Sequence, residues 1–175
     1  MIVCTTPRLT LRHLTPDDAS FMLALLNEPS FIANVADRGV RTEADARTYI
    51  VDGPMASYAR HGFGLYLVEL TGTDVAIGIC GLLKRDALDA PDVGFAFLPA
   101  YWSKGYARES AGAVMRLARE SLGLDRIVAI TAPHNQASMR VLESLGLSRA
   151  GVRTLSKDGG ESVLFETSEA TSGAP

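Results

Sequence analysis

Residues 98–107 read Leu-Pro-Ala-Tyr-Trp-Ser-Lys-Gly-Tyr-Ala and carry the strongest chemical signal in this 175-residue chain. An apolar run, Val93-Gly94-Phe95-Ala96-Phe97-Leu98, stops at Pro99, and a helical face then runs Ala107, Ala111, Val114, Met115, Ala118, Leu122. A strand that feeds a turn of small residues at a helix N-terminus aims unbonded backbone N–H groups at an anion, usually a phosphate. Glycine-containing junctions of this kind are also common where nothing binds, so spacing alone leaves both readings open. Neither Gly-x-x-x-x-Gly-Lys-Ser/Thr nor a Gly-x-Gly-x-x-Gly after a first strand occurs, which removes two familiar nucleotide loops. Gly105 and Ala107 have the spacing Gly-x-Ala, which suits a tight wrap around one pyrophosphate.

A second helix start lies at Asn135-Gln136-Ala137-Ser138, where Asn135 is a natural N-cap. Its neighbour His134 is a residue type suited to proton transfer, although a lone loop histidine is usually structural. Glu69 sits among apolar residues and is either inward-facing or the polar half of an alternation. Cys4 and Cys80 are far apart and in no metal spacing, so they read as small buried hydrophobes, and no metal is expected.

The elements that must position these residues follow from period and punctuation. Leu9 to His13 alternate as a first strand. Thr15-Pro16-Asp17-Asp18 starts a helix with Phe21, Met22, Leu25 and Leu26 on its apolar face, ended by Asn27-Glu28-Pro29. Thr42 and Asp45 start another, which must break or kink at Gly53-Pro54, with a short helix through Ser57 and Tyr58 after it. Residues 63–70 and 75–84 form a hairpin, 93–98 the fourth strand and 124–131 the fifth. Helix 136–145 ends at Gly146, and 147–155 pairs with 161–166 around Lys157-Asp158-Gly159-Gly160. The expected class is α/β, a mixed, mostly antiparallel sheet flanked by helices. The helical crossover makes the fourth and fifth strands parallel.

Length and a hydrophobic content of 47% fit one domain with a good core, taken as 1–167, followed by a small polar tail, 168–175, expected to be disordered. A net charge of −3 gives no reason to expect nucleic acid or an anionic membrane as partner. No signal segment and no apolar run of membrane-spanning length is present, so a cytoplasmic protein is expected.

The turn at 101–107 resembles the coenzyme A loop of the GNAT N-acetyltransferases. Within them it is most similar to the branch that acetylates ribosomal-protein N-termini at alanine or serine. Trp102 stands where many members have Gln or Arg, as is usual in that branch, and Ser103 replaces a common Gly. If that Gly served a positive φ, Ser103 brings strain. Residues 6–18, Asp92-Val93-Gly94-Phe95 and 135–146 resemble the same branch, in the same order, so the resemblance spans nearly the whole chain.

The resemblance implies a GNAT-like acyl-CoA N-acyltransferase fold in which the fourth and fifth strands splay apart to admit acetyl-CoA. It implies that backbone N–H groups of Ser103, Lys104, Gly105, Tyr106, Ala107 and Arg108 hold the pyrophosphate, with Lys104 and Arg108 as candidate charges. Phe97 and Leu98, at the end of the fourth strand, would face the pantetheine. Asn135 would bond it as well as capping. Ser138 would give a proton or a hydrogen bond to the departing thiolate, where many relatives use a Tyr. Asp92 stands where a Glu often acts as base through water, and Glu69 is the other candidate base; a solvated loop acid remains the alternative for Asp92. The expected activity is transfer of acetyl from acetyl-CoA to a primary amine, such as a protein or peptide N-terminus, in a ternary complex, by a monomer or homodimer. The competing readings are an acyl-CoA-binding sensor without transfer activity and an unrelated nucleotide-binding enzyme. The weak case for a base favours an amine of low pKa, because baring an α-amine at pH 7 costs about 1.4 kcal/mol and a lysine about 4.6.

Overall fold

The computed structural model describes residues 1–155 and 160–168. In chain order the elements are β1 (Ile2–Thr5), β2 (Leu9–His13), α1 (Ala19–Leu26), α2 (Pro29–Asn34), α3 (Glu43–Ile50), α4 (Ala56–His61), β3 (Leu65–Leu70), β4 (Val75–Leu83), β5 (Asp92–Phe97), α5 (Tyr106–Leu122), β6 (Val128–Thr131), α6 (Gln136–Ser144), β7 (Leu147–Thr154) and β8 (Glu161–Thr167). The strands make a mixed sheet in the order β1-β2-β3-β4-β5-β6-β8-β7, and β5–β6 is its parallel pair among the described residues. Residues 156–159 and 169–175 lie outside the described residues, and with them most of the turn expected at 157–160 and of the tail expected at 168–175.

The sheet's alternation sends successive residues to opposite layers. Leu11, Val68, Cys80, Val93 and Phe165 pack with Val114 and Met115 of α5 and Met139 and Leu142 of α6. Leu67 and Ile79 pack on the other face with Met22, Leu25 and Leu26 of α1 and Ala46 and Ile50 of α3. The result is a three-layer α/β arrangement. Burial pushes the Cys80 thiol up to about 12, against a hydrogen bond from Ser110, so it behaves as a core group. Among the described residues no helix is long and apolar enough to cross a membrane.

The helix-start signals act as read. The Thr42 hydroxyl accepts from the Asp45 N–H at 3.1 Å while Asp45 accepts from the Thr42 N–H at 2.9 Å. Asp18 likewise accepts from the Thr15 N–H at 2.8 Å. Arg12 then ties this corner to the sheet: its guanidinium donates to both oxygens of Asp18, at 2.8 and 2.9 Å, and to Glu69 at 2.8 Å.

Four details differ from expectation. An extra edge strand, β1, precedes the first predicted one; it is too short and too exposed to show an alternation. Pro29 does not only end α1 but sits at the first position of α2, where its missing N–H is not needed. The break at Gly53-Pro54 is instead a π-helical turn, Val51–Met55, which leads into α4. β6 begins at Val128 and not at Leu124, because Gly123 closes α5 in the left-handed region and Leu124 donates back to Ala118.

Candidate functional site

β5 and β6 touch at one residue pair, Asp92 opposite Val128, and separate beyond it. A cleft of about 470 Å³ opens where they part. It is walled by Phe95, Ala96 and Phe97 of β5, the 101–108 turn, the start of α6, and α2 with Val35 just beyond it.

The turn is built around two left-handed residues. Ser103 has φ +58° and Gly105 has φ +81°. Gly105 caps α5, and the first intrahelical bond there is from Glu109 N–H to the Gly105 carbonyl at 3.0 Å. The N–H groups of Tyr106, Ala107 and Arg108 therefore lack a carbonyl four residues earlier in the helix. They stand at the positive end of a 17-residue helix, beside the cleft that all three residues line. A left-handed residue followed by a right-handed one makes successive N–H groups converge on an anion. Ser103 does occupy the backbone region in which a Gly would be unstrained. Lys104 lines no part of the cleft, and its ammonium lies 5.5 Å from the centre of the Tyr101 ring.

The edge of β5 supplies a second set of backbone groups. Leu98 N–H donates to the Ile77 carbonyl at 3.0 Å, and the β4–β5 register runs unbroken through Phe97 opposite Gly78. In an antiparallel ladder, alternate residues bond to the neighbouring strand, so Phe95 and Phe97 turn their backbone groups toward the gap. Trp102 reaches back and donates its indole N–H to the Phe97 carbonyl at 2.8 Å. This bond joins the end of the strand to the start of the 101–108 turn. Leu98, expected on this edge, is turned toward β4 and packs in the opposite layer.

Asn135 and Ser138 meet in the cleft wall, where the Asn135 side-chain oxygen accepts from the Ser138 N–H at 3.1 Å. Asn135 and Ser138 are the polar residues of this helix start that line the cleft. Arg108 and Arg140 also line the cleft. Across from them, Ser30, Phe31, Asn34 and Val35 form a wall that sequence patterning missed with α2; Pro29 at a helix first position was its one available signal. His134, just before α6, is joined to Asn34 of α2 by a 2.9 Å hydrogen bond.

The structure does not bring the two candidate carboxylates to this place. Asp92 is 1% exposed at the closed end of the β5–β6 pair, and Arg85 Nε lies 3.2 Å from both its oxygens. Burial pushes its carboxyl above the ordinary range, with Arg85 opposing. Glu69 lies on β3, between β2 and β4, and is held by Arg12 of β2. Among the described residues that line the cleft there is no Asp or Glu.

Comparison with known proteins gives a consistent result. The family model described as an acetyltransferase (GNAT) domain matches residues 8–148. The uncharacterized N-acetyltransferase YnaD of Bacillus subtilis is 28% identical over 147 residues, covering 84% of this chain and 83% of the relative. An acetyltransferase from Agrobacterium tumefaciens superposes with a TM-score of 0.80 at 23% identity, over 96% of this chain and 94% of its own. The ribosomal L7/L12 alpha-N-protein acetyltransferase RimL, solved with coenzyme A, superposes with a TM-score of 0.81 at 16% identity, over 95% and 97%.

Proposed function

The chain belongs to the GNAT acetyltransferases, enzymes that move acetyl from acetyl-CoA to an amine, and within that activity we propose that its acceptor is the α-amine of a protein or peptide N-terminus. The observation that carries the reading is the composition of the cleft wall. Apolar, amide, hydroxyl and arginine side chains line it, and among the described residues no carboxylate does. Such a wall offers neither a strong base nor a counter-ion for a polycation. An α-amine, with a pKa near ~8, arrives neutral often enough to need neither; a lysine, near ~10.4, does not.

Each wall has a task in this mechanism. Ser103, Gly105, Tyr106, Ala107 and Arg108 hold the pyrophosphate through backbone N–H groups at the start of α5, with Arg108 adding charge. Lys104 contributes its backbone. Phe95 and Phe97 pair with the pantetheine amides as an added strand would. A backbone N–H on that edge polarises the thioester carbonyl, so that it can carry the developing negative charge. The neutral amine attacks the carbonyl carbon, the C–N bond forms, and the C–S bond breaks. The Ser138 hydroxyl donates toward the leaving sulfur, and the amine's surplus proton passes to water. The reaction takes place in a ternary complex, with α2 and Val35 shaping the acceptor side. Cytoplasmic location and a monomeric or homodimeric state complete the proposal.

The test is a free-thiol release assay with acetyl-CoA against N-terminal peptides, free lysine, polyamines and aminoglycosides. Turnover on peptides with a free α-amine, and little on polycations, is expected. Preference for a polyamine or aminoglycoside would overturn the acceptor assignment.

A further inference from the structure

The 104–105 peptide is gripped from outside the cleft by a residue more than ninety positions away. Arg8, in the short link between β1 and β2, donates from one terminal nitrogen to the Lys104 carbonyl at 2.8 Å. Its Nε and other terminal nitrogen both lie 2.6 Å from one Glu109 oxygen. The second Glu109 oxygen accepts from the Arg8 N–H at 3.1 Å and from the Thr6 hydroxyl at 2.6 Å. The same guanidinium lies 4.6 Å from the centre of the Tyr106 ring. Desolvation opposes ionisation of Glu109, but the hydrogen bonds from Thr6 and Arg8 outweigh it and hold the carboxyl below its usual range.

We propose that Arg8 is a positioning residue for the phosphate-binding turn. A trans peptide is planar, with its carbonyl and N–H pointing in opposite directions. Holding the Lys104 carbonyl toward Arg8 therefore fixes the Gly105 N–H away from Arg8, on the concave side of the turn. Gly105 at φ +81° lets α5 begin there, and a Cβ on it would lie 3.2 Å from the Arg8 guanidinium. Glu109 is a carboxylate in the first turns of a helix whose N-terminus must accept a dianion. Arg8 neutralises that charge where it would repel phosphate. One planar fork performs both tasks, and a lysine cannot hold both partners in this geometry.

This inference rests on the assignment of residues 103–108 to the pyrophosphate, so the test separates the two. The donors are acetyl-CoA and S-acetylpantetheine, which carries the thioester but no pyrophosphate. The unaltered enzyme is expected to prefer acetyl-CoA by roughly 100-fold in kcat/KM, because the pyrophosphate adds binding common to the ground and transition states, which lowers KM. Arg8→Ala and Arg8→Lys are each expected to shrink that preference roughly tenfold, through KM for acetyl-CoA and not through kcat. Direct titration with coenzyme A should show the same loss. An equal fall on both donors would make Arg8 a merely structural residue, and wild-type behaviour of Arg8→Lys would remove the peptide clamp. If Arg8→Ala does not fold, the lysine variant decides. Equal use of the two donors by the unaltered enzyme would overturn the turn assignment itself, whereas a retained preference in the Arg8 variants overturns Arg8 alone.

Discussion

Asp92 stands directly opposite Val128, and beyond that pair the parallel strands β5 and β6 part. The pair is the closed end of the wedge that makes the cleft. Residues three to five positions further along β5 are on the open side, and so is the turn that follows them. Asp92 itself therefore lies at the closed end, away from the open side, and its partner Arg85 lies on the connection that leads into β5.

Replacing Asp92 by Asn tests this structural assignment. Its carboxyl is raised in the fold, so the folded protein holds that proton more tightly than the unfolded chain does. The stability linked to it is fully present below the unfolded value near ~4 and is lost as pH rises through the folded value. Asp92→Asn is therefore expected to be more stable than the parent at pH 7 in thermal melts, with the difference fading as pH falls toward ~4. The acidic limb of the kcat/KM profile is expected to stay in place. A shifted limb would restore Asp92 as a base.

Ser138→Ala is expected to lower kcat by roughly 10- to 100-fold, below the typical range for a full general acid because a serine is a weak one. Calorimetric affinity for acetyl-CoA should change little. Unaltered turnover would leave Ser138 with only its backbone role in the Asn135 cap.

At Ser103 a left-handed backbone carries a side chain that gains nothing from it. Ser103→Gly is expected to raise stability by about 0.5–1 kcal/mol, the relief of left-handed strain less the extra entropy of glycine. Coenzyme A should bind the variant at least as well as the parent in a titration. A tenfold weaker complex would mean that the hydroxyl is itself a ligand.

Arg12→Ala leaves Asp18 and Glu69 uncompensated, each with a side chain 11% exposed. A loss of about 3 kcal/mol in denaturant unfolding is expected, as for other broken buried pairs. Burial raises the Asp18 carboxyl, but its bonds from Arg12 and Thr15 outweigh this and leave it lowered. The stability it contributes is present above the unfolded value near ~4 and is lost as pH falls through the folded one. In Arg12→Ala that part of the acid sensitivity should be reduced.

The periodic and capped parts of this fold could be read from the chain. The α5 face from Ala107 to Leu122, the Thr42–Asp45 capping box and the alternation at Leu9 and Leu11 each report a local preference that packing then confirms. Short elements could not: β1 spans four residues and α2 six, too few for a period to show. The carboxylates show a different limit. Residue type and position along a strand single out Glu69, and the family resemblance adds Asp92. What decides their part is which arginine reaches them, Arg85 for one and Arg12 for the other, and that is a tertiary fact. Arg8 was legible only as part of a resembling stretch; its grip on Lys104 spans 96 positions and has no sequence signature.

The proposed function requires a cleft that takes acetyl-CoA on one side and a neutral α-amine on the other. Mass spectrometry after incubation with acetyl-CoA and a library of peptides, each carrying both a free α-amine and an internal lysine, tests it most directly. Acetyl label on the N-terminal amine, dependent on the enzyme and growing with pH toward ~8, is the predicted result. Label confined to lysine side chains, or found on a small amine and on no peptide, would contradict it.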